Sequence, residues 1–334
     1  MIWSKGFTAS YYMTILDSST WRDIERYEII SGSISRSGGT LMEAADLVVS
    51  DIPARGDVWI RIYLDTLQDG SNAHIPLFTG IMSAPAVNWE GIRKNYQLEC
   101  YSVLKPAADV LLQRGWYAPA GMNGAMLAAR LLEIGAAPVE YDDNAPDLAT
   151  TIVAEDKESN LTMAQKLISA IGWRIRISGD GHIKICPQAA EVSETFDALE
   201  NDCIELTISD NQDWFKCPNV FRAVSDDMMA IARDDSEDSP LSTVSRGREI
   251  WMEETNCTLN TDEGISEYSM RRLKEEQAPA RRITYNRRFH PNLYIGDMVR
   301  IHHPAQKIDG EFKIETQRIE LGYGARTAEG AIQV

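Results

Sequence analysis

Few residues in this chain have types and spacings suited to chemistry, and the most suggestive group is the adjacent pair His302-His303. Asp297 and Asp309 lie close to the pair in sequence, so a metal site is one hypothesis. Adjacent residues of a strand point to opposite faces, however, so one ion is not easily bound by both histidines. The pattern favours a solvated strand end. His290 precedes a proline and is interpreted as a turn residue rather than a general base.

Motifs that would indicate an enzyme are missing from the sequence. There is no G-x-S-x-G, no H-E-x-x-H and no P-loop. The segment from Gly179 to Gly181 separates two alternating runs and is typical of a hairpin turn rather than a phosphate loop. The acidic segment 234–240 (DDSEDSP) lacks the spacing and central glycine of an EF-hand, so we predict a solvated loop. We predict no catalytic, metal-binding or cofactor-binding residues, although a glycosidase-type carboxylate pair stays open among 50 acidic residues.

The charge balance limits the classes of partner. With 33 basic and 50 acidic residues the net charge is −17. Binding to phosphate groups needs a basic surface, so we expect neither sequence-specific nucleic-acid binding nor attachment to an anionic membrane. An acidic channel wall would repel phosphates and let DNA slide past.

The five cysteines are scattered, odd in number and never spaced as C-x-x-C. This pattern is typical neither of a disulfide framework nor of a zinc site, and it favours reduced, buried thiols. No apolar run approaches the ~20 residues of a membrane helix, and none near the N-terminus is long enough for a secretory signal. We therefore expect a protein made in the cytoplasm.

The first hundred residues predict β-structure. The run Val58–Leu64 alternates, with its even-numbered residues on one face, and an Asp69-Gly70 turn follows. Further strands are predicted at 11–16, 28–34, 76–82 and 96–101.

Between residues 102 and 172 the periodicity becomes helical. Three apolar stripes are predicted helices, each ended by a glycine: 104–112 before Gly115, 127–132 before Gly135 and 161–171 before Gly172, the last with Asn160 as its N-cap. A hairpin over 173–185 follows. These elements predict a small α/β module, with linkers near Lys105 and near 187–200.

After residue 203 the pattern returns to β-structure. Strands are predicted at 204–208 and 220–224, and a helix at 267–277 with i,i+4 ion pairs. Turns are predicted at Gly296-Asp297 and Asp309-Gly310. The apolar parity of the last strand changes, which indicates a β-bulge near Gln317-Arg318.

Two segments, 58–82 and 298–317, share the order strand, loop, Asp-Gly, strand. Chance similarity of two hairpins is the preferred interpretation, and two copies of one barrel are the alternative.

A basic run stands out in the acidic chain and contains two aromatic residues. Its arginines are Arg281, Arg282, Arg287 and Arg288. Basic residues interleaved with aromatics suit nucleic acid, but a protein contact that pairs with acids on a neighbouring subunit fits the overall charge better. We predict these arginines at a subunit or tube interface.

The order of parts resembles the tail hub (baseplate hub) family of phages, which includes the late control protein D group and related tail-associated proteins. The resemblance is carried by SVLKPAADVLLQRGW, by LTMAQKLISAIGWRIRISGDGHIKI and by a cassette from SEYSMRRLKEEQAPARR through HPNLYIGDMVRIHHP to EFKIETQRIELG. It implies an α+β, mostly β chain in which two tube-type β-barrel domains flank an inserted small α/β module. The implied bounds are 1–105 for the N-terminal β-domain, which strands from about 196–225 could complete, 106–195 for the module, and 196–334 for the second β-domain with its helix at 267–277.

The resemblance also implies a function. Such hubs form a homotrimer at the distal end of the tail tube, where two barrels per chain make a pseudo-sixfold ring. The implied partners are the tail tube protein, a central spike or tip protein and the tape-measure protein. The implied location is the virion tail, assembled in the host cytoplasm, while the isolated acidic chain is expected to stay a monomer.

Two rival functions are kept. A peptidoglycan hydrolase that opens the cell wall would need a nucleophile or a metal constellation, which the sequence does not show. A carbohydrate- or receptor-binding tip module would need an exposed aromatic platform. The eight tryptophans are spread singly, which suits core or interface packing better.

Overall fold

The structure, a computed structural model, describes residues 1–3, 5–52, 57–83, 85–91, 93–198, 204–205, 207–211, 214–225, 228–255, 257, 264–277 and 281–334. The chain divides into two compact units. Unit 1 comprises Met1–Ile208 and Thr284–Ala331, and unit 2 comprises Ser209–Ile283 and Ile332–Val334. The division into three domains at about residues 105 and 195 stays a prediction.

Strands outnumber helices among the described residues, as predicted for a mostly β chain of the α+β class. The strands are β1 Thr8–Leu16, β2 Asp23–Ser37, β3 Glu43–Val49, β4 Val58–Gln68, β5 Ser71–Met82, β6 Ala86–Glu90, β7 Arg93–Ser102, β8 Tyr117–Ala118, β9 Val139–Tyr141, β10 Ile152–Val153, β11 Trp173–Ile177, β12 Ile183–Pro187, β13 Val192–Asp197, β14 Ser209–Asn211, β15 Val220–Ser225, β16 Met228–Arg233, β17 Trp251–Thr255, β18 Arg282–Arg287, β19 Met298–His303, β20 Ile308–Glu320 and β21 Thr327–Gln333. The helices are α1 Lys105–Asp109, α2 Gly124–Leu132, α3 Asn160–Ala170, α4 Thr243–Arg246 and α5 Ile265–Gln277.

Six strands of unit 1 pair in a cycle. The order is β1, β4, β5, β7, β3 and β2, and β2 pairs with β1 again. Alternating apolar residues point to the inside of this cycle, where Met13, Ile62 and Phe78 are fully buried. Their burial supplies the hydrophobic stabilisation of this part of unit 1.

The β4–β5 hairpin confirms the predicted turn at Asp69-Gly70. Both residues have positive φ, 48° and 80°, as a two-residue turn of type I′ requires. The alternation of β4 is also confirmed, since Ile60, Ile62 and Leu64 are buried. Its other face is buried as well, which the pattern did not indicate.

A second core of unit 1 lies among α1, α2, α3 and the three-stranded sheet β11-β12-β9, and its buried residues run from Val103 to Ile185. The predicted hairpin is confirmed, with Ile175 opposite Ile185. Two details of the helix predictions are wrong. The first helix ends at Asp109, because Val110 is already extended. The N-cap of α3 is Ser159, whose Oγ accepts a hydrogen bond from the backbone N–H of Thr162 at 3.1 Å.

Three other sequence predictions are corrected. Asp309-Gly310 is not a turn, because both residues pair with β19 inside β20; the chain reverses at Pro304–Gln306 instead. Segment 204–208 forms no strand among its described residues, where Ile204 makes an isolated bridge to Arg287. The expected linker 187–200 contains β13, which pairs in parallel with β19.

The change of parity in β20 is confirmed. Phe312 and Ile314 are buried, and then Gln317 and Ile319 take over the buried positions. The predicted β-bulge near Gln317-Arg318 is not seen in the pairing of β20 with β2, whose register is regular from Thr316 to Glu320. The bulge stays a prediction.

Unit 2 is built on the sheet β16-β15-β17, with α5 packed on one face. Phe221 and Ala223 of β15 contact Tyr268 and Leu273 of the helix in a small core. The predicted helix is confirmed, and so are its predicted i,i+4 ion pairs Arg271–Glu275 at 2.8 Å and Arg272–Glu276 at 3.1 Å.

Candidate functional site

The four candidate arginines lie in different environments. Arg281 forms hydrogen bonds to the carboxylate of Asp210. Its Nε lies 3.1 Å from Oδ1 and 3.0 Å from Oδ2, and its Nη2 lies 2.6 Å from Oδ2. Arg282 lies on β18 with an exposed side chain, and Arg288 is half-buried. Whether they bind a subunit or a tube stays a prediction.

Arg287 differs from the other three, because its side chain is completely buried. It forms a bidentate pair with Glu329 of β21, with Nε–Oε2 at 2.8 Å and Nη2–Oε1 at 2.5 Å. A residue at a subunit or tube interface needs an accessible side chain, so the predicted interface role does not suit Arg287. Burial alone would raise the pKa of Glu329, but the charge and hydrogen bonds of Arg287 hold it below its ordinary value.

The Arg287–Glu329 pair belongs to a longer buried polar network. Gln317 of β20 donates to Glu329 at 2.8 Å and accepts from Nη1 of Arg36 at 2.6 Å. Arg36 of β2 also donates to the carbonyl oxygen of Leu77 at 2.5 Å. The network therefore ties the strand cycle to β18, β20 and β21 within unit 1.

Glu43 ends this network and is its weakest member. Its Oε2 lies 3.4 Å from Nε of Arg36, while its Oε1 has no hydrogen-bond partner among the described residues. Burial raises the pKa of Glu43 to about 7, and the attraction of Arg36 only partly opposes that rise. Glu43 therefore changes its charge near neutral pH.

The turn that contains Gly296-Asp297 is confirmed, and it is held by charged contacts. Asp297 is buried and accepts hydrogen bonds from Arg174 at 2.9 Å and from Arg176 at 3.4 Å. The ring of Tyr294 has guanidinium groups near it, with Cζ of Arg36 4.2 Å and Cζ of Arg176 4.8 Å from the ring centroid. These contacts join the turn at Gly296-Asp297 to the β11–β12 hairpin.

The hairpin turn at Gly179–Gly181 is confirmed and has a packing role that its sequence did not indicate. The carbonyl oxygen of Asp180 accepts from Nη2 of Arg61 and from Nε1 of Trp21, both at 2.9 Å. A Cβ on Gly179 would lie 1.9 Å from the carbonyl oxygen of Pro76. Only glycine allows this turn to lie directly on β5.

A feature that the sequence patterns did not indicate lies in unit 2, where Trp214 and Phe215 are exposed in a short 3₁₀ turn. Arg246 donates to the carbonyl oxygens of Trp214, Phe215 and Cys217 at 2.6, 3.0 and 2.7 Å. Arg248 donates to the Phe215 carbonyl oxygen at 2.9 Å, and its guanidinium lies 4.0 Å from the centre of the Phe215 ring. We call Trp214, Phe215, Arg246 and Arg248 the aromatic–arginine platform.

The local sequence explains how the platform is positioned. The hydroxyl of Ser242 caps α4 by accepting from the N–H of Ser245, and Gly247 ends the helix with φ 61°. Buried Asn219 then donates to the carbonyl oxygens of Leu241 and Arg248 at 3.2 and 2.9 Å. The platform borders an open groove of about 480 Å³, which Pro240 and Leu241 complete.

The remaining chemistry-bearing residues do not converge among the described residues. No group of three or more His, Cys, Asp or Glu side chains could hold a metal ion there. His302 is partly exposed, but His303 is buried, so a solvated strand end is the wrong interpretation for His303. Of the four described cysteines, Cys100, Cys217 and Cys257 are buried and Cys186 is partly buried, and Cys203 lies outside the described residues. No helix in the described ranges is long and apolar enough to span a bilayer. The acidic segment 234–240 is a loop, as predicted.

Comparison with known sequences identifies no relative. No protein-family model matches the chain. No curated protein matches it significantly in sequence either.

Comparison of structures finds tail proteins of phages and prophages. A tail protein from Neisseria meningitidis MC58 matches with a TM-score of 0.68 at 14% identity, over 98% of this chain and 97% of that one. The 43 kDa tail protein of prophage MuSo2 from Shewanella oneidensis matches with a TM-score of 0.66 at 12% identity, over 97% and 98%. The prophage tail protein gp18 from Listeria monocytogenes EGD-e matches with 0.55 at 12% identity, over 97% and 94%. The predicted resemblance to phage tail proteins is confirmed at the level of the fold.

Proposed function

We propose that this chain is a non-enzymatic structural component of a phage or phage-like tail, a hub at the distal end of the tail tube. The observation that carries the proposal is the fold, which is shared along nearly the whole length of three tail proteins. Because similarity extends over almost all of each chain, the correspondence concerns the complete arrangement of elements rather than one common motif.

The strand pairings support two related barrels in this hub. The first is the six-strand cycle of β1, β4, β5, β7, β3 and β2. The second corresponds to the run β13-β19-β20-β21-β18. Segments 58–82 and 298–317 each contain a hairpin, β4–β5 and β19–β20, one in each set, although Asp69-Gly70 forms the turn of the first hairpin and Asp309-Gly310 lies inside β20 of the second. Two such barrels in each of three chains give six similar positions, which a hexameric tube requires.

The charge of the chain suits a ring that surrounds DNA. A net charge of −17 makes acids available for the channel wall, and an acidic wall does not bind phosphate. The proposed partners are the tail tube protein on one side, a central spike or tip protein on the other and the tape-measure protein in the channel. Assembly takes place in the host cytoplasm, and the product is the virion tail.

Cryo-electron microscopy of purified tails that contain this chain tests the proposal. We expect three copies in one ring at the distal end of the tube, with acidic residues facing the channel. A position along the tube, on the outer surface of the tail or outside the particle would contradict it. Zymography of purified chain on cell walls is the accompanying control, and clearing abolished by replacing one Asp, Glu or His would identify an enzyme instead.

A further inference from the structure

We propose that the aromatic–arginine platform of unit 2 is a docking site for the acidic surface of a second copy of this chain. This inference deepens the proposed function and rests on it, since a ring places copies side by side. The proposed function does not say which surface joins neighbouring copies, and this inference names that surface.

The residue types of the platform are those of a hot spot in a protein–protein interface. Tryptophan and arginine are enriched in such centres, and here both lie beside a phenylalanine in an open groove. Phe215 has 70% of its surface exposed, and Trp214 has 42%. Burying these rings against a partner would remove a large apolar area from water.

The platform is also held in one conformation before any partner binds. Three backbone carbonyl groups accept hydrogen bonds from Arg246, so the turn that displays the two aromatic rings is fixed. The Phe215 ring is further held by the guanidinium of Arg248 at 4.0 Å. A preorganised surface loses less conformational entropy on binding, which favours association.

The charge of the platform identifies the partner. Neither Arg246 nor Arg248 contacts a carboxylate in the described part of the chain, and both donate to carbonyl oxygens instead. In the same unit, Arg233 is paired with Glu249 at 2.7 Å and Arg281 with Asp210 at 2.6 Å. Among the described residues, the two positive charges of the platform therefore have no acidic counterpart.

A second copy supplies the complementary charge. Each copy has 17 more acidic than basic residues, so an approaching copy carries a net negative charge that attracts the two arginines. Complementary charges across an interface increase the rate of encounter and exclude wrong partners. In a cyclic ring the contact is heterologous, so every platform binds an acidic patch elsewhere on the neighbouring copy.

Photocrosslinking tests the docking. The variant Phe215→p-benzoylphenylalanine keeps an aromatic ring at the platform, and Met270→p-benzoylphenylalanine is the matched control at another exposed apolar position of unit 2. After irradiation of assembled tails, we expect the position-215 variant to give a product of twice the chain mass, with an acidic peptide of the second copy at the cross-link. A product that contains another tail protein, or none although the variant is incorporated, would overturn the proposal.

A charge test accompanies it. Arg248→Glu in the position-215 background should reduce the cross-linked product at least about tenfold, while Lys274→Glu, with the same change of charge, should alter it less than about twofold. Equal reductions by both substitutions would overturn the role of Arg248.

Failure of the hub proposal can be distinguished from failure of the docking proposal. If the chain is absent from tails, the hub proposal fails. The same cross-linking of the purified chain then decides the docking, at a concentration high enough to overcome the repulsion that is expected to keep the dilute acidic chain a monomer. A dimer that Arg248→Glu abolishes supports the docking, and the absence of a dimer at that concentration overturns it.

Discussion

Arg287 and Glu329 form a bidentate ion pair in which neither side chain is exposed to solvent, with Nε–Oε2 at 2.8 Å and Nη2–Oε1 at 2.5 Å. Such a pair is sensitive to the loss of one partner, because the other charge then stays buried without compensation. Within a basic run of four arginines, Arg287 therefore serves the interior of unit 1, whereas Arg282 of the same strand has an exposed side chain.

Arg287→Ala should lower the free energy of unfolding by about 3–5 kcal/mol, because Glu329 is left buried and unpaired. The matched control Arg282→Ala should lower it by no more than about 1 kcal/mol. Urea denaturation followed by circular dichroism measures both. The double variant Arg287→Met/Glu329→Met should be more stable than Arg287→Ala; a double variant that is less stable would mean that the shape of the pair matters more than its charge.

Glu43→Gln should stabilise the protein above neutral pH and matter little at pH 5. The folded-state pKa of Glu43 is raised from 4.5 to about 7, so the native state binds the proton more tightly than the unfolded state does. Stability therefore falls as pH rises from about 4.5 to 7 and stays reduced above that, by up to ~3 kcal/mol. Denaturation midpoints of the two proteins at pH 5 and pH 8 test this. An equal difference at both pH values would show that Glu43 does not titrate in this range.

Gly179→Ala should destabilise the protein by about 1–3 kcal/mol, because its Cβ would overlap the backbone of Pro76 and push the hairpin turn off β5. A Cβ on Gly38 would have no atom within 4 Å, and Gly38 has no positive φ, so Gly38→Ala is the control and should change stability little. Thermal unfolding of both variants makes the comparison, and a Gly179→Ala variant as stable as Gly38→Ala would show that the turn can move away without loss.

The assembly role of the basic run can be tested without Arg287. The triple variant Arg281→Ala, Arg282→Ala and Arg288→Ala should reduce incorporation into tails, if these side chains bind a neighbouring subunit or the tube. Its stability should fall only modestly, since each exposed or partly exposed charge contributes about 0–1 kcal/mol. Quantitative blotting of purified tails measures incorporation. Normal incorporation, or a tail structure in which the three arginines line the channel, would contradict the predicted interface.

Local signals in the sequence predicted many elements correctly. The Asp69-Gly70 turn, the 173–185 hairpin and the ion-paired helix α5 depend on residues a few positions apart. Their conformations follow from φ preferences, alternation and i,i+4 spacing, which act within one segment. The order of such segments was also enough to indicate the fold of a phage tail protein.

The structure alone decided where the charged residues lie. Arg36 reaches Gln317 across 281 positions of sequence, and Arg287 meets Glu329 only because β18 and β21 belong to one sheet. The same holds for the aromatic–arginine platform, whose arginines lie about 30 residues from the carbonyl groups they bind. The sequence by itself determined most of the strands, helices and turns, because those depend on neighbouring residues, whereas the paired position of Asp309-Gly310 inside β20 depends on β19. The tertiary structure decided which arginine is buried and which is displayed, because burial and ion pairing depend on segments that only folding brings together.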